Sequence, residues 1–137
     1  MGCDIHAFFE IKVHGDWLFY GYHRIPRDYK LFSRLANVRN GEPGDEWYIE
    51  PLSETRGFPH NASEMLRLHE KVYDGDAHSH SWISSQEYVA LFKDYGDTLK
   101  ATKWLYLFGN SFEDFYEYRD DFPDFVEDFR MCFFFDN

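Results

Sequence analysis

Two short segments carry the residues in this sequence that are best suited to binding a metal ion. The first is CDIH near the N-terminus, in which Asp4 and His6 are separated by one residue. The second is DAHSHSW, in which Asp76, His78 and His80 occupy alternate positions. Alternate side chains of an extended segment point to the same side, so each set should share one face. The spacing therefore predicts two groups of ligands that one cation could draw together.

The chemistry predicted for such a site is metal-dependent hydrolysis. Neutral imidazoles and carboxylates suit zinc or manganese best, and also iron. The predicted metal ligands are Asp4, His6, His78 and His80. Asp76 would act as a catalytic or orienting carboxylate, while a water at an open coordination position would be activated against a phosphoester. The alternative is that Asp-x-His, a common spacing, belongs here to a structural strand and a solvated turn.

Four further residues are candidates for contact with a substrate. Arg39 and Asn40 follow a helical pattern and could present a guanidinium fork and an amide to a phosphate, with a part in catalysis. Arg56 in the TRGFP turn could hold a ligand, and Trp82 could stack on it. Each has a structural alternative, namely a helix C-terminal cap for the first two, a tight turn for Arg56 and a core anchor for Trp82.

Two other residues near these segments bear on the chemistry. Asp136 would join the site if the last strand of the chain neighbours the first. Ser79 has no obvious base and orienting group beside it in the sequence, so a serine nucleophile is not expected.

The elements that would position these residues begin with a hairpin. Residues 3–13 alternate between apolar and polar side chains, as a half-buried strand does, and a turn at 14–16 leads into an aromatic second strand. Apolar residues then recur at helical spacing from Tyr29 to Val38. The long irregular stretch that follows, to about residue 60, is a candidate binding loop.

Two pairs of residues predict where later helices begin. Asn61 with Glu64 resembles a capping pair, and Ser84 with Glu87 reads as a capping box. The second pair places the His-rich segment directly before a helix.

The last part of the chain completes an α+β pattern. Residues 98–108 fit either a helix or a strand, whereas the C-terminal RMCFFFDN favours a strand. We therefore expect a single α+β domain over residues 1–137. Its sheet should be mainly antiparallel and include the N- and C-terminal strands, with the helices packed on one face.

Composition restricts the partners of the chain. The 14 Lys and Arg residues against 25 Asp and Glu residues give a net charge of −11, which disfavours broad binding to nucleic acids. Basic residues cluster between positions 24 and 39, where a small anionic ligand could bind. No apolar run is long enough to cross a membrane and no leader pattern is recognised, so we expect a cytoplasmic protein with no membrane partner. Cys3 and Cys132 are expected to be reduced.

The stretch from 111 to 129 interleaves Phe and Tyr with eight acidic residues and one base, Arg119. Pro123 should divide it into two short helices. Its carboxylates could imitate the phosphates of duplex DNA and occupy a DNA-binding protein. The alternative is a solvated acidic face whose Phe side chains point inward.

Taken together, these motifs resemble a family of small bacteriophage and prophage proteins. The resemblance begins with MGCDIH, continues through RDYKLFSRLANVRN, the RGFP turn and DAHSHSW, and closes on FFFDN. It implies a phage origin and expression in the cytoplasm of a bacterial host, but it implies no particular reaction.

Two functions follow as hypotheses. The first is a metal-dependent phosphoesterase that acts on a nucleotide or another phosphoester, with a host defence signal as one candidate substrate. The second is a non-catalytic inhibitor that sequesters a nucleotide or blocks a host defence protein, including by DNA mimicry. The sequence leaves open whether the protein is a homo-oligomer.

Overall fold

The computed structural model describes residues 2–100 and 109–137. Its main elements are β1 (Asp4–Val13), β2 (Asp16–His23), α1 (Tyr29–Ala36), α2 (Glu64–Lys71), β3 (Ala77–Ser84), α3 (Ser85–Lys100) and β4 (Val126–Asp136). In this part of the chain, four strands form an antiparallel sheet in the order β2-β1-β4-β3. The predicted α+β fold, with both terminal strands in the sheet, is confirmed. Of the ambiguous segment 98–108, residues 101–108 lie outside the described residues.

Strand β1 lies inside the sheet and pairs with a neighbour on each side. A two-residue turn at His14 and Gly15 joins it to β2, and their φ angles of 50° and 82° are those of a type I′ turn. On the other side β1 pairs with β4, and Asp4 lies opposite Asp136. The predicted hairpin is confirmed, and the last strand does neighbour the first.

The first face of the sheet is covered by two helices, and we call it the α1/α3 face. Phe32 of α1 packs on Phe135, with ring centroids 5.1 Å apart. Tyr88 of α3 meets Phe9 edge to face at 5.2 Å. These four side chains belong to the larger of two hydrophobic clusters and are all buried, so this face holds the main core.

The opposite face, which we call the α2 face, carries a smaller apolar layer. Leu66 of α2 is buried there with Phe8, Cys132 and Phe134. Of the three α-helices among the described residues, α1 and α3 share one face as expected, whereas α2 departs from the prediction and lies on the other face. Among the described residues, no helix is long and apolar enough to cross a membrane.

Side chains fix the beginnings of α1 and α3. Asp28 caps α1 by accepting the backbone N–H groups of Lys30 and Leu31. At α3, the backbone N–H of Ser84 donates to Glu87 Oε1 at 2.9 Å, and the backbone N–H of Glu87 donates to Ser84 Oγ at 3.2 Å. The predicted capping box is therefore confirmed.

Helix α2 begins later than the sequence predicts. Its N-cap is Ser63 rather than Asn61, and the Ser63 hydroxyl accepts the backbone N–H of Leu66. The cause lies in the sheet, because the backbone N–H of Ser63 donates to the Glu10 carboxylate of β1 at 2.7 Å. The local cap and this tertiary contact together place the boundary at Ser63.

A buried ion pair connects β1 and β4 on the α2 face. The Arg130 Nε donates to Glu10 Oε1 at 2.8 Å, and the two side chains are 6% and 0% exposed. The Arg130 guanidinium also lies 4.1 Å from the ring centroid of Trp17. Because both charges are removed from water and satisfied together, each depends strongly on the other. Cys3 and Cys132 are buried free thiols, as predicted.

The acidic stretch folds differently from the prediction of two short helices. It contains single 3-10 turns at Phe112–Asp114 and Arg119–Asp121. Four of its five Phe side chains are buried, which supports the inward-pointing interpretation, but Phe125 is 44% exposed. The buried ones are Phe112, Phe115, Phe122 and Phe129.

Candidate functional site

The segments that carry the sequence motifs meet at one end of the sheet. The first residues of β1 and β3 both lie opposite the last residue of β4. The backbone N–H of Cys3 donates to the Tyr29 hydroxyl at 3.1 Å, which ties β1 to α1. The RGFP turn joins β3 through the backbone N–H of Gly57, which donates to the His80 carbonyl at 2.9 Å. Motifs far apart in the sequence therefore form one connected region.

In the CDIH segment, both candidate ligands have protein partners. Arg27 donates to the Asp4 carboxylate from Nε at 2.6 Å and from Nη2 at 3.2 Å. These hydrogen bonds hold the pKa of Asp4 below its usual value. His6 Nε2 lies 3.0 Å from Asp136 Oδ1, and its ring stacks on Phe134 with centroids 5.1 Å apart. Asp136 thus joins this region, as the neighbouring strands allow.

The DAHSHSW segment does not keep the predicted alternation. His78 pairs with Phe135 and Ser81 pairs with Phe133, so two residues of β3 stand opposite one residue of β4. Ser79 has a φ of 55°, in the left-handed region. The extra residue and this backbone angle define a β-bulge.

Because of the bulge, the rings of His78 and His80 lie on opposite faces of the sheet. The ring of His78 stacks on Phe135 of the α1/α3 face, with a centroid distance of 6.2 Å. The ring of His80 stacks on Phe134 of the α2 face, with a centroid distance of 5.6 Å. The expectation of a shared face is wrong here, because the left-handed residue Ser79 interrupts the period-two pattern.

The predicted metal ligands are consequently not gathered around one point. Asp4 is held by Arg27, and His6 and His80 flank β4 from two different strands. Asp76, the predicted supporting carboxylate, is exposed in a 3-10 turn before β3. Within residues 2–100 and 109–137, no three His, Cys, Asp or Glu side chains are placed to hold a metal ion. The arrangement therefore does not support the four-ligand site that the spacing predicts.

Asn40 has a positioning role in place of the predicted catalytic one. Its Nδ2 donates to the Asn37 side chain at 2.8 Å and to the Ile49 carbonyl at 2.6 Å. Its Oδ1 accepts the backbone N–H groups of Gly41 at 2.9 Å and Ile49 at 3.1 Å. Both donors and both acceptor positions of the amide are thus occupied. Asn40 fixes the start of the irregular loop, and Asn37 is the left-handed C-cap of α1.

Arg56 and Trp82 are both predicted to contact a ligand. Arg56 instead forms hydrogen bonds to Trp82 and to α3. Two nitrogens of the Arg56 guanidinium donate to the Glu87 carboxylate at 2.7 Å, and one donates to the Trp82 carbonyl at 2.8 Å. The guanidinium lies 5.0 Å from the centroid of the Trp82 ring. The hydrogen bond from Arg56 lowers the pKa of Glu87 to about 2. Arg56 therefore anchors the RGFP turn.

Arg39, the remaining substrate candidate, adopts a left-handed backbone with φ 56°. Its guanidinium lies over the ring of Tyr29, 5.4 Å from the centroid. This contact holds the guanidinium against α1 at the same end of the sheet as Cys3.

A cleft of about 690 Å³ opens beside this region. It is bounded by the end of α1, the irregular loop and the β3 bulge. The lining residues are Ala36, Asn37, Tyr48, residues 50–55 and Ser79. Two of them, Asn37 and Ser79, have left-handed backbones with φ 57° and 55°.

Hydrogen bonds hold the loop wall of this cleft on both sides. Toward α1, the backbone N–H of Leu52 donates to the Arg34 carbonyl at 2.8 Å, and Arg34 Nη1 donates to the Glu50 carbonyl at 2.7 Å. Toward β3, the backbone N–H of Arg56 donates to Ser81 Oγ at 3.0 Å. The loop is irregular, as predicted, but it is fastened in place.

The bulge also creates a polar chain that sequence reasoning missed. Ser79 Oγ lies 3.0 Å from His78 Nδ1, and His78 Nε2 lies 3.1 Å from Asn137 Oδ1. The expectation that Ser79 lacks a base and an orienting group is therefore wrong. Adjacent side chains of a regular strand point apart, so the spacing gives no signal of this contact. The third member, Asn137, is 59 residues from His78 in the sequence.

Comparison with family models, with curated proteins and with solved structures finds no match to this chain.

Proposed function

We propose that this protein binds a small polar molecule in the cleft between α1, the irregular loop and the β3 bulge. The observation that carries the proposal is the left-handed backbone of Ser79 in the cleft wall. Asn37 lines the same cleft, but its left-handed backbone belongs to the C-cap of α1. Such a conformation costs a non-glycine residue about 1–3 kcal/mol and concentrates at functional sites. Ser79 faces a cleft where the sequence motifs also meet.

The lining indicates the chemistry of the ligand. The cleft volume of about 690 Å³ falls within the range of small-molecule sites. Asn37, Ser53, Thr55 and Ser79 can form hydrogen bonds, and Tyr48 adds an aromatic ring. These groups suit the hydroxyls and base edge of a nucleoside-like ligand. Among the described residues, the lining also includes Glu50 and Glu54 but no Lys, Arg or His, which favours a neutral moiety over a free phosphate.

The proposal keeps part of the sequence-based hypotheses. Capture of a small ligand retains the predicted sequestration, but for a neutral nucleoside-like molecule in place of a nucleotide. The phage origin and the host cytoplasm belong to the proposal through the motif resemblance alone. Metal-dependent hydrolysis would require Asp4, His6, His78 and His80 to converge, which their separate partners and faces oppose.

A fragment screen by protein-observed NMR tests the proposed site. The probes are adenosine, guanosine and a set of uncharged polar fragments, each added to ¹⁵N-labelled protein. We expect the shifted amides to cluster at Asn37, residues 50–55 and Ser79. Ser53→Trp, which places a large side chain in the cleft, should abolish these shifts, whereas Glu117→Trp, at an exposed position elsewhere, should leave them unchanged.

The screen can also contradict the proposal. If no probe moves the cleft amides, or if Ser53→Trp leaves every shift intact, the cleft is not a ligand site. If the probes map to another surface, the function must be sought there.

A second candidate function is supported by the acidic stretch. Three aromatic side chains remain exposed among its carboxylates, namely Tyr116 (45%), Tyr118 (47%) and Phe125 (44%). Exposed aromatic residues are enriched at the centres of protein interfaces, and surrounding carboxylates would complement a basic surface. A partner that fits this surface is a basic nucleic-acid-binding protein. By occupying the DNA site of that protein, the acidic stretch would act as the predicted DNA mimic.

Displacement by DNA tests this second function. We expect the immobilised protein to retain a basic protein from a bacterial lysate, and we expect duplex DNA to release it. The double variant Tyr118→Ala/Phe125→Ala should not retain this protein. His78→Ala, outside the acidic stretch, should bind it like the wild type. Retention that duplex DNA cannot displace would contradict mimicry.

A further inference from the structure

The bulge of β3 brings a hydroxyl, an imidazole and an amide into one hydrogen-bonded line. Ser79 Oγ is 3.0 Å from His78 Nδ1, and His78 Nε2 is 3.1 Å from Asn137 Oδ1. Ser79 also lines the proposed ligand cleft. The hydrogen-bonded line therefore runs from the cleft to Asn137, directly after β4.

The backbone makes this contact available. In a regular strand, the side chains of residues 78 and 79 would project from opposite faces. The left-handed Ser79, with φ 55°, turns its hydroxyl to the ring of the preceding residue. The ring itself is held against Phe135, with an interplanar angle of 25°. A strained nucleophile beside a fixed base is the arrangement expected of an activated hydroxyl.

The two contacts fit the tautomer that the arrangement needs. The Asn137 Oδ1 can only accept a hydrogen bond, so the Nε2 of His78 donates to it. The Nδ1 then carries the lone pair and accepts the hydroxyl proton of Ser79. Asn137 acts as a positioning residue, which fixes the ring and its tautomer.

We propose that Ser79 is a nucleophile that cleaves a neutral carboxylic ester bound in the cleft, with His78 as its general base. This inference rests on the proposed function, because it needs a ligand in the same cleft. In the part of the chain that the structure describes, the cleft lining includes Glu50 and Glu54 and no Lys, Arg or His, which favours an uncharged ester over an anionic one.

The reaction proceeds in two balanced steps. Ser79 Oγ forms a bond to the ester carbonyl carbon and gives its proton to His78 Nδ1. The bond from that carbon to the alcohol oxygen breaks, and the leaving alcohol takes the proton from His78, which leaves an acyl ester on Ser79. Water then attacks the acyl carbon and transfers a proton through His78 to Ser79 Oγ, which releases the carboxylic acid and restores the free hydroxyl.

An uncharged alkyl fluorophosphonate probe tests the nucleophile directly. Attack by Ser79 would form an oxygen–phosphorus bond, break the phosphorus–fluorine bond and leave a stable mass increase. We expect about one adduct per chain in the intact protein, located on Ser79 by peptide mass spectrometry. Ser79→Ala should abolish the adduct, and so should Ser79→Gly, which accommodates the left-handed backbone without strain.

Variants of the other two residues separate a catalytic role from a structural one. His78→Ala should slow labelling by about 100-fold or more, as expected for loss of a general base. Asn137→Ala should slow it less, and Asn137→Asp, which keeps an acceptor for Nε2, should restore it. Circular dichroism and thermal unfolding must show that each variant stays folded. His60→Ala is the matched control for His78→Ala, because His60 is exposed and does not line the cleft.

Each outcome bears on the inference. Labelling of Ser79 that depends on His78 and persists in His60→Ala supports it. No adduct on the folded wild type, an adduct on another residue, or equal labelling of His78→Ala overturns it. If the polar fragments still bind in the cleft while no adduct forms, the nucleophile is overturned and the binding function stands.

Discussion

The CDIH segment of β1 and the DAHSHSW segment of β3 share the Asp-x-His or His-x-His spacing, but only β1 keeps its polar side chains on one face. Strand β1 is paired on both sides, whereas β3 is an edge strand that pairs, within residues 2–100 and 109–137, only with β4. An edge strand tolerates a bulge more easily, and the bulge at Ser79 places His78 and His80 on opposite faces. Residue spacing therefore predicts a shared ligand face only where the backbone stays regular.

The two strands also use their polar residues differently. On β1, Asp4, His6 and Glu10 each bind a residue of another segment, so they fasten the sheet. On β3, the bulge presents Ser79 to a cleft. The difference separates a region that holds the fold together from one that is open to a ligand.

The largest effect should come from breaking the buried pair on β1. Glu10→Ala leaves the Arg130 guanidinium buried without its partner, and we expect a loss of about 3–5 kcal/mol in the free energy of unfolding. Urea denaturation measures it, with Lys12→Ala on the same face of β1 as the control. A loss no larger than that of the control would mean that β1 is not the fastening strand.

Acid should weaken the contact that anchors the cleft wall. The pKa of Glu87 is lowered to about 2 by Arg56, below its usual value of 4.5. Its ionised form therefore stabilises the fold at neutral pH, by at most about 3 kcal/mol, and this contribution is lost as the pH falls from 4.5 toward 2. Urea midpoints between pH 7 and pH 3 should fall less steeply for Glu87→Gln. Arg56→Met should remove the same component, and an unchanged slope in both variants would contradict the anchor.

The bulge itself can be tested at Ser79. A β-branched residue fits poorly at φ 55°, so Ser79→Val should destabilise the protein by about 1–3 kcal/mol. Ser79→Gly should cause no comparable loss, because glycine adopts this backbone freely. Thermal and urea unfolding of the two variants give the difference. Equal stability of Val and Gly at this position would indicate that β3 is regular and that the two segments do not differ.

The smallest effect should come from Asp4. Its side chain and that of Arg27 are 52% and 55% exposed, so solvent screens the pair. Asp4→Asn should leave the urea midpoint nearly unchanged. A loss as large as that of Ser79→Val would show that this end of β1 is held by more than an exposed ion pair.

Local patterns predicted much of the fold. The alternation of residues 3–13 and the turn at Gly15 gave the hairpin, and Ser84 with Glu87 marked the beginning of α3. The beginning of α2 was missed because Glu10, distant in the sequence, binds the backbone of Ser63. The boundaries that failed are those set by tertiary contacts.

The site was less predictable for the same reason. No glycine marks the left-handed position in HSHSW, so the bulge at Ser79 has no local signal. Arg56 and Glu87 are 31 residues apart, and their pairing depends on how the loop packs against α3. Residue type indicated that these positions matter, but it did not distinguish a residue that contacts a ligand from one that supports the cleft.

Metal content tests most directly the claim that the two segments do not form one site. The metal content of untagged protein, reconstituted with zinc or manganese, is measured by plasma mass spectrometry. The wild type is compared with His6→Ala and His78→Ala. The control is His14→Ala, in the β1–β2 turn. Because the two segments form no shared site, we expect no stoichiometric metal that both His6→Ala and His78→Ala lose. About one equivalent in the wild type and in His14→Ala, absent from both other variants, would contradict it and restore the four-ligand site.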